Sequence, residues 1–166
     1  MKTLIIFDSF YGNTEIIARA VGKAIGKRCT SIFHVGGAVQ TDLESFDLII
    51  VGSPVHGGRP THAVEKYLEV LTQNALKNIY VASFDTRFEA EERGSVKRIR
   101  MNIIRYASER IAKQLVRKGG VLIVPPEGFI VKNKEGTLRR GEIARAAIWG
   151  KHILENVRSD FHYAKP

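Results

Sequence analysis

The chain has 166 residues, 44% apolar and 26% charged, and at this size about 70% of the unfolded surface becomes buried, which excludes disorder and a miniprotein dependent on staples. Cys29 is the single cysteine, so no internal disulfide can form and a reducing compartment suits the chain. The net charge of +9 is compatible with nucleic acid, an anionic membrane surface, acidic partners or an anionic cofactor.

In chain order, Leu4-Ile5-Ile6-Phe7 is a short unbroken apolar run, as a strand covered on both faces requires. It is too short for a signal segment, and Asp8 ends it. Ile16, Ile17, Ala20, Val21, Ala24 and Ile25 recur at helical spacing and predict a helix over 14–27. Ser31 to Val35 reads as a weaker strand at the sheet edge, and Leu48-Ile49-Ile50-Val51 as a strong third strand. Pro60 suits the first turn of a helix carrying Val64, Tyr67, Leu68 and Leu71. Ile79-Tyr80-Val81-Ala82 is the fourth strand. A long helix over about 95–118 puts Val96, Ile99, Ile103, Ala107, Ile111 and Leu115 on one stripe. Gly119-Gly120 ends it, and Val121-Leu122-Ile123-Val124 is the fifth strand. A last helix runs from about Glu142 to Val157, with Trp149 at a core position. No run approaches the roughly 20 apolar residues that span a bilayer, and the expected location is the cytoplasm.

Strands alternating with about five helices imply right-handed crossovers and a parallel sheet. The economical solution is an α/β, doubly wound five-stranded parallel sheet of order 2-1-3-4-5 with helices on both faces. Ligands in such sheets bind beyond the carboxyl ends of the strands, at the switch point between strands 1 and 3. The residues just after Phe7, Val51, Ala82 and Val124 are therefore the ones expected to carry chemistry.

After the first strand comes Asp8-Ser9-Phe10-Tyr11-Gly12-Asn13-Thr14. Ser9, Tyr11 and Thr14 supply hydroxyls, Gly12 permits a left-handed turn, and the helix start presents free N–H groups to one point. That is a seat for a phosphate held without Lys or Arg. It matches neither a GxxxxGK[ST] loop nor a GxGxxG fingerprint, which argues against ATP, GTP and a Rossmann dinucleotide. The competing reading is that Asn13 or Thr14 only caps the helix.

These residues resemble the phosphate loop of the flavodoxins, roughly [ST]-x-[ST]-G-x-T after strand 1, with Tyr11 departing at the middle hydroxyl. The resemblance implies that Ser9, Asn13 and Thr14 contact the phosphate of FMN. The next loop, Gly52-Ser53-Pro54-Val55-His56-Gly57-Gly58-Arg59-Pro60, is similar to the family's G-S-P-x-[YH]-x-G-x-x-P segment, which flanks the isoalloxazine ring. Ser53, Pro54, Val55, His56, Gly57 and Gly58 are thereby implied in the site. Gly57 and Gly58 let backbone approach a flat ligand. His56 is expected to stack, to donate, or simply to be held by backbone. Arg59 has three candidate partners, the phosphate, negative flavin charge and Glu65.

The run Ser83-Phe84-Asp85-Thr86-Arg87-Phe88 resembles one branch of small flavodoxin-like proteins, and the family uses this loop to cover the pyrimidine edge and the other ring face. Phe84 is expected as a stacking surface and Asp85 as the acceptor for flavin N3–H, with Ser83, Thr86 and Arg87 beside them. Backbone groups or a capped turn are the alternatives. The block Pro125-Pro126-Glu127-Gly128-Phe129 and the segment Gly136 to Gly150 extend the resemblance over essentially the whole chain.

Other chemistry lacks support. Cys29 follows Lys27-Arg28 at a helix end and is expected to be inert; His34, His56, His62, His152 and His162 show no metal-ligand spacing. There is no nucleophile elbow. Between Arg93 and Lys118 nine basic residues face one acid, Glu109. The chain is thus read as one domain, 1–166, with a basic insertion or extended helix over about 88–110. That stretch is a solvated face, a homo-oligomer contact or a docking site for an acidic redox partner. With Tyr106 its sole aromatic, nucleic-acid binding gains no specific support. Many flavodoxins are acidic, so a basic chain departs from the family. Positive charge beside the flavin would raise the potential of its anionic reduced form, whereas distant charge would be screened. The resulting function is an FMN electron carrier working with a redox partner protein or a small redox substrate such as a quinone. The alternatives are an FMN oxidoreductase, such as a quinone reductase or protoporphyrinogen oxidase, and a flavin-free interaction module using the basic helix.

Overall fold

The computed structural model describes residues 1–38, 41–88, 106–132 and 136–163. Strands β1 (Thr3–Phe7) and β3 (Leu48–Pro54) are buried along nearly their whole length, as unbroken apolar runs require when helices cover both faces. Strand β2 (Thr30–His34) is only partly covered and lies at the edge. With β4 (Tyr80–Phe88) and β5 (Val121–Leu122), these strands form a parallel sheet of order β2-β1-β3-β4-β5. The 2-1-3-4-5 order expected from the sequence is therefore the order found.

Helices α1 (Asn13–Ile25) and α4 (Glu142–Tyr163) cover one face, and α2 (His62–Val70) and α3 (Ala107–Arg117) the other. On the first face Ile5, Phe7, Ile17, Val21, Phe84, Phe129, Trp149 and Ile153 share one core. On the second, Leu4, Ile6, Val51, Val64, Leu68, Val81, Ile111 and Leu115 share another. Trp149 is a packing residue, as its helical position implied. At Gly150 a Cβ would stand 3.0 Å from the Val21 carbonyl oxygen and 3.2 Å from the Ala24 Cβ. The absent side chain there is what lets α4 seat directly on α1.

Four boundaries differ from the sequence reading. α1 stops at Gly26, whose φ of 138° breaks the helix. Pro60 lies ahead of α2 rather than in its first turn, because Thr61 is the cap and its side chain accepts from the Val64 N–H at 3.4 Å. β4 runs nine residues instead of four. Its continuation from Ser83 to Phe88 is strand and not loop, because β3 pairs with it to Thr86 and a sixth strand, β6 (Glu127–Val131), pairs with it from Phe84 to Phe88. The expected fifth strand pairs only at Val121 and Leu122, and the line resumes as β6 after Pro125-Pro126, which carry no N–H for a ladder. Among the described residues there are four α-helices and two short 3₁₀ turns. The N-terminal half of the long basic helix, and most of the basic insertion expected over 88–110, fall on 89–105, outside the described residues.

Glu142 holds β6 to α4. It is 2% exposed and accepts from the Ile130 N–H at 2.9 Å, from Arg145 at 2.6 Å and from Arg139 at 3.2 Å. Burial pushes its carboxyl up, but the hydrogen bonds and charge of Arg145, the Ile130 N–H and Arg139 together outweigh burial and hold it below the usual range. A carboxyl lowered by folding stabilises the fold above its unfolded-state titration, and that contribution fades as pH falls through the folded one. Glu142→Gln is therefore expected to cost about 2 kcal/mol at pH 7 and clearly less at pH 3, read as urea midpoints at the two values. An equal loss at both would contradict the assignment.

Candidate functional site

Three segments converge at the carboxyl edge of β1, β3 and β4. The first is the turn after β1. Asp8 donates its N–H to the Gly52 carbonyl at 3.2 Å, and its buried carboxylate accepts from the Ser9 N–H at 2.8 Å and sits 3.0 Å from His34 Nε2. The chain then reverses through Gly12, left-handed at φ 82°, which is the N-cap of α1. No side chain caps this helix. Asn13 and Thr14, the two residues that might have served, point elsewhere: Asn13 Nδ2 donates to the Gly136 carbonyl at 2.8 Å, and the Thr14 and Thr86 hydroxyls bond each other at 2.9 Å. The capping reading therefore fails. Beside the uncapped end, Ser9 Oγ is buried with no hydrogen-bond partner.

The second segment follows β3. His56 and Arg59 exchange both backbone hydrogen bonds, 2.9 and 3.0 Å, around Gly57 and Gly58, whose φ values are 57° and 78°. This is a type I′ turn, the form that needs two left-handed residues. Arg59 pairs with Glu65 at 3.1 Å, so of its three candidate partners the local one is present. The His56 ring meets Phe10 edge to face at 6.0 Å.

The third segment is the end of β4, tied to the second by the Val55 N–H on the Thr86 carbonyl at 2.9 Å. Between them lies a cavity of about 360 Å³. Ser9, Tyr11, Asn13 and Thr14 line one side of it, Pro54, Val55, His56 and Gly57 the next, and Thr86 and Arg87 the third. Gly12 and Gly58 shape the turns without lining it.

Four expected residues face elsewhere. Ser53 is fully buried, donating to the Pro54 carbonyl at 2.9 Å and accepting from the Thr61 N–H at 3.0 Å. Ser83 donates to the Ser108 carbonyl at 2.8 Å. Phe84, expected to stack on a ligand, is 0% exposed: its ring lies on Gly52, and it packs edge to face with Phe129 and Trp149. Asp85, expected as the N3–H acceptor, is 0% exposed and already saturated by Arg87 and the Ser108 N–H. Conversely, the sequence reading passed over Phe10, Phe88 and Val131, all on the cavity wall. The signal for Phe10 was a large aromatic inside a phosphate-type loop, and it is 60% exposed at the rim. Among the described residues, no cluster of His, Cys, Asp and Glu could hold a metal, and no helix is long and apolar enough to cross a membrane.

Comparison with known proteins agrees with this geometry. The curated flavodoxin of Buchnera aphidicola subsp. Acyrthosiphon pisum is 32% identical over 84 residues, 50% of this chain and 49% of that protein. The chain thus spans about half the length of that relative. A flavodoxin from the domain Archaea superposes with a TM-score of 0.70 at 19% identity, covering 95% of this chain and 99% of that one. Oxidised flavodoxin 2 from Bacillus cereus gives 0.71 at 20%, covering 93% and 99%. At such identities the likeness establishes the fold. A flavodoxin domain family model matches residues 4–118. With that match extending over more than half its length, the chain belongs to the flavodoxin family.

Proposed function

We propose that this chain binds FMN at the β1–β3–β4 edge and carries electrons to or from a redox protein or a small acceptor such as a quinone. The observation that carries the reading is the uncapped start of α1 beside the partnerless, buried Ser9 Oγ. Free first-turn N–H groups and the positive helix end favour an anion, and a hydroxyl sealed from water without an acceptor costs stability unless a ligand engages it. The residues present therefore fit a phosphomonoester. The cavity next to it is walled by Phe10, Tyr11, His56 and Phe88, flat groups suited to a ring system.

FMN, when bound, supplies the one- and two-electron chemistry. The chain's part is to seat the phosphate, present the His56–Arg59 turn to the ring and exclude water from its inner edge. Family membership implies a flavin and favours the carrier over the quinone-reductase, protoporphyrinogen-oxidase and flavin-free readings.

Titration of the apoprotein with FMN and with riboflavin tests this. FMN is expected to bind on the order of 100-fold more tightly, since hydrogen bonds to a charged group contribute about 1.5–3 kcal/mol each and each 1.4 kcal/mol is tenfold. Ser9→Ala is expected to weaken FMN about tenfold and leave riboflavin unchanged. Equal affinities for the two flavins would defeat the phosphate seat.

A further inference from the structure

Arg87 is a charged group on the cavity wall that the phosphate seat leaves without a role. Its guanidinium is gripped from several sides. Nε and one terminal nitrogen reach the two oxygens of Asp85 at 2.5 and 2.8 Å, and that terminal nitrogen also reaches Ser108 Oγ at 3.2 Å. The Tyr106 ring lies against it, 3.6 Å from the guanidinium carbon to the ring centroid. Opposite Asp85 on β6, Gly128 leaves room that a Cβ would take from the guanidinium itself. A bidentate, stacked guanidinium of this kind has little freedom to swing.

The pair is also oriented. Asp85 is 0% exposed and accepts a further bond from the Ser108 N–H at 2.9 Å, whereas the Arg87 side chain keeps 18% of its surface and lines the cavity. The negative end is sealed inside, whereas the positive end belongs to a side chain that is partly exposed on a residue bordering the ligand space. A fixed charge at a partly desolvated position acts more strongly than one in open solvent.

We infer that Arg87 is a fixed cation of the flavin site, held by Asp85 as its positioning residue, and that it favours the reduced, negatively charged flavin over the neutral oxidised one. The inference rests on the FMN reading above. Full reduction adds two electrons and one proton to the neutral ring and leaves one negative charge; the electrons come from the reduced redox partner, or in the test from an electrode through mediators.

The test is the midpoint potential of the FMN-loaded protein by spectroelectrochemistry, with separate affinities for oxidised and reduced FMN. The double variant Asp85→Asn/Arg87→Gln removes both charges and strands neither. It is expected to lower the preference for reduced FMN about tenfold, which is about 30 mV in a two-electron couple. Asp85→Asn alone, which frees the cation from its counter-charge, should shift the preference the other way. Arg87→Lys, which keeps the charge but loses the two-point grip and the stack, should fall between the wild type and the double variant. Arg117→Gln, on the exposed side of α3, should leave the potential unchanged, its charge being screened beyond about 8 Å.

A double variant that binds FMN at the wild-type potential would overturn the inference while leaving the carrier reading standing. If the double variant does not fold, an Asp85→Asn protein whose potential is unchanged or lowered overturns it equally. Wild-type protein without affinity for FMN would overturn both.

Discussion

Alanine at Gly52 is expected to lower stability by about 3 kcal/mol and to shift the urea midpoint accordingly, although it adds a single methyl group. Overpacking normally costs about 1–3 kcal/mol, and this position belongs at the top of that range. Gly52 pairs with Phe7 on one side and Phe84 on the other, and the new Cβ would enter the Phe84 ring rather than a flexible chain end. That ring has nowhere to retreat: it packs against Phe129 at 6.0 Å and Trp149 at 6.1 Å between centroids, and those two rings touch each other at 6.1 Å. Protein interiors are close-packed and pass such a displacement on. Here it reaches the candidate site, because the Asp8 N–H rests on the Gly52 carbonyl at the start of the turn after β1. Adding Phe84→Leu should restore part of the loss. Losses that simply add in a double-mutant cycle would show that the ring and the glycine do not compete for one volume.

Arg87→Ala is expected to destabilise by about 3–5 kcal/mol, the usual result of removing one partner of a buried ion pair. Asp85 would keep only the Ser108 N–H while remaining sealed from water. The Asp85→Asn/Arg87→Gln protein should be much milder, within about 1–2 kcal/mol of wild type, since replacing both members leaves no uncompensated charge. Thermal and urea unfolding of the wild type, the single and the double variant at pH 7 would check this. Equal losses for the single and double variants would mean that packing of the guanidinium, rather than its charge, supports the strand end.

The sheet order and the edge that bears the site were readable because β1 and β3 are unbroken apolar runs and the helices between them keep a clear period. The end of β4 was not. From Val81 to Thr86 every residue is buried, so no alternation marks where the strand stops. Asp85 is a residue type that usually signals a turn, and charged residues such as Asp85 and Arg87 are rare in a covered strand. What makes them strand residues lies elsewhere in the chain: Asp85 and Arg87 neutralise each other at i and i+2, and Ser108 satisfies what remains. Phe84 was misread for a related reason. An aromatic following an apolar run resembles a ligand-stacking surface, and only the sheet register, which sets it beside Gly52, shows that it is swallowed by the core. The turn after β1 was legible as a turn because its form depends on local backbone, above all on the left-handed Gly12. Phe88 and Val131 reach the cavity wall only because β4 and β6 run side by side to their ends.

Asn13 grips the Gly136 carbonyl across 123 residues, and α4 seats on α1 through Gly150. In order of synthesis the turn after β1 precedes both of its supports, the Gly136 carbonyl and α4. A nascent chain made as far as α1 but not yet to Gly136 would thus lack those braces, and rigidity of the turn after β1 becomes a late event in biogenesis.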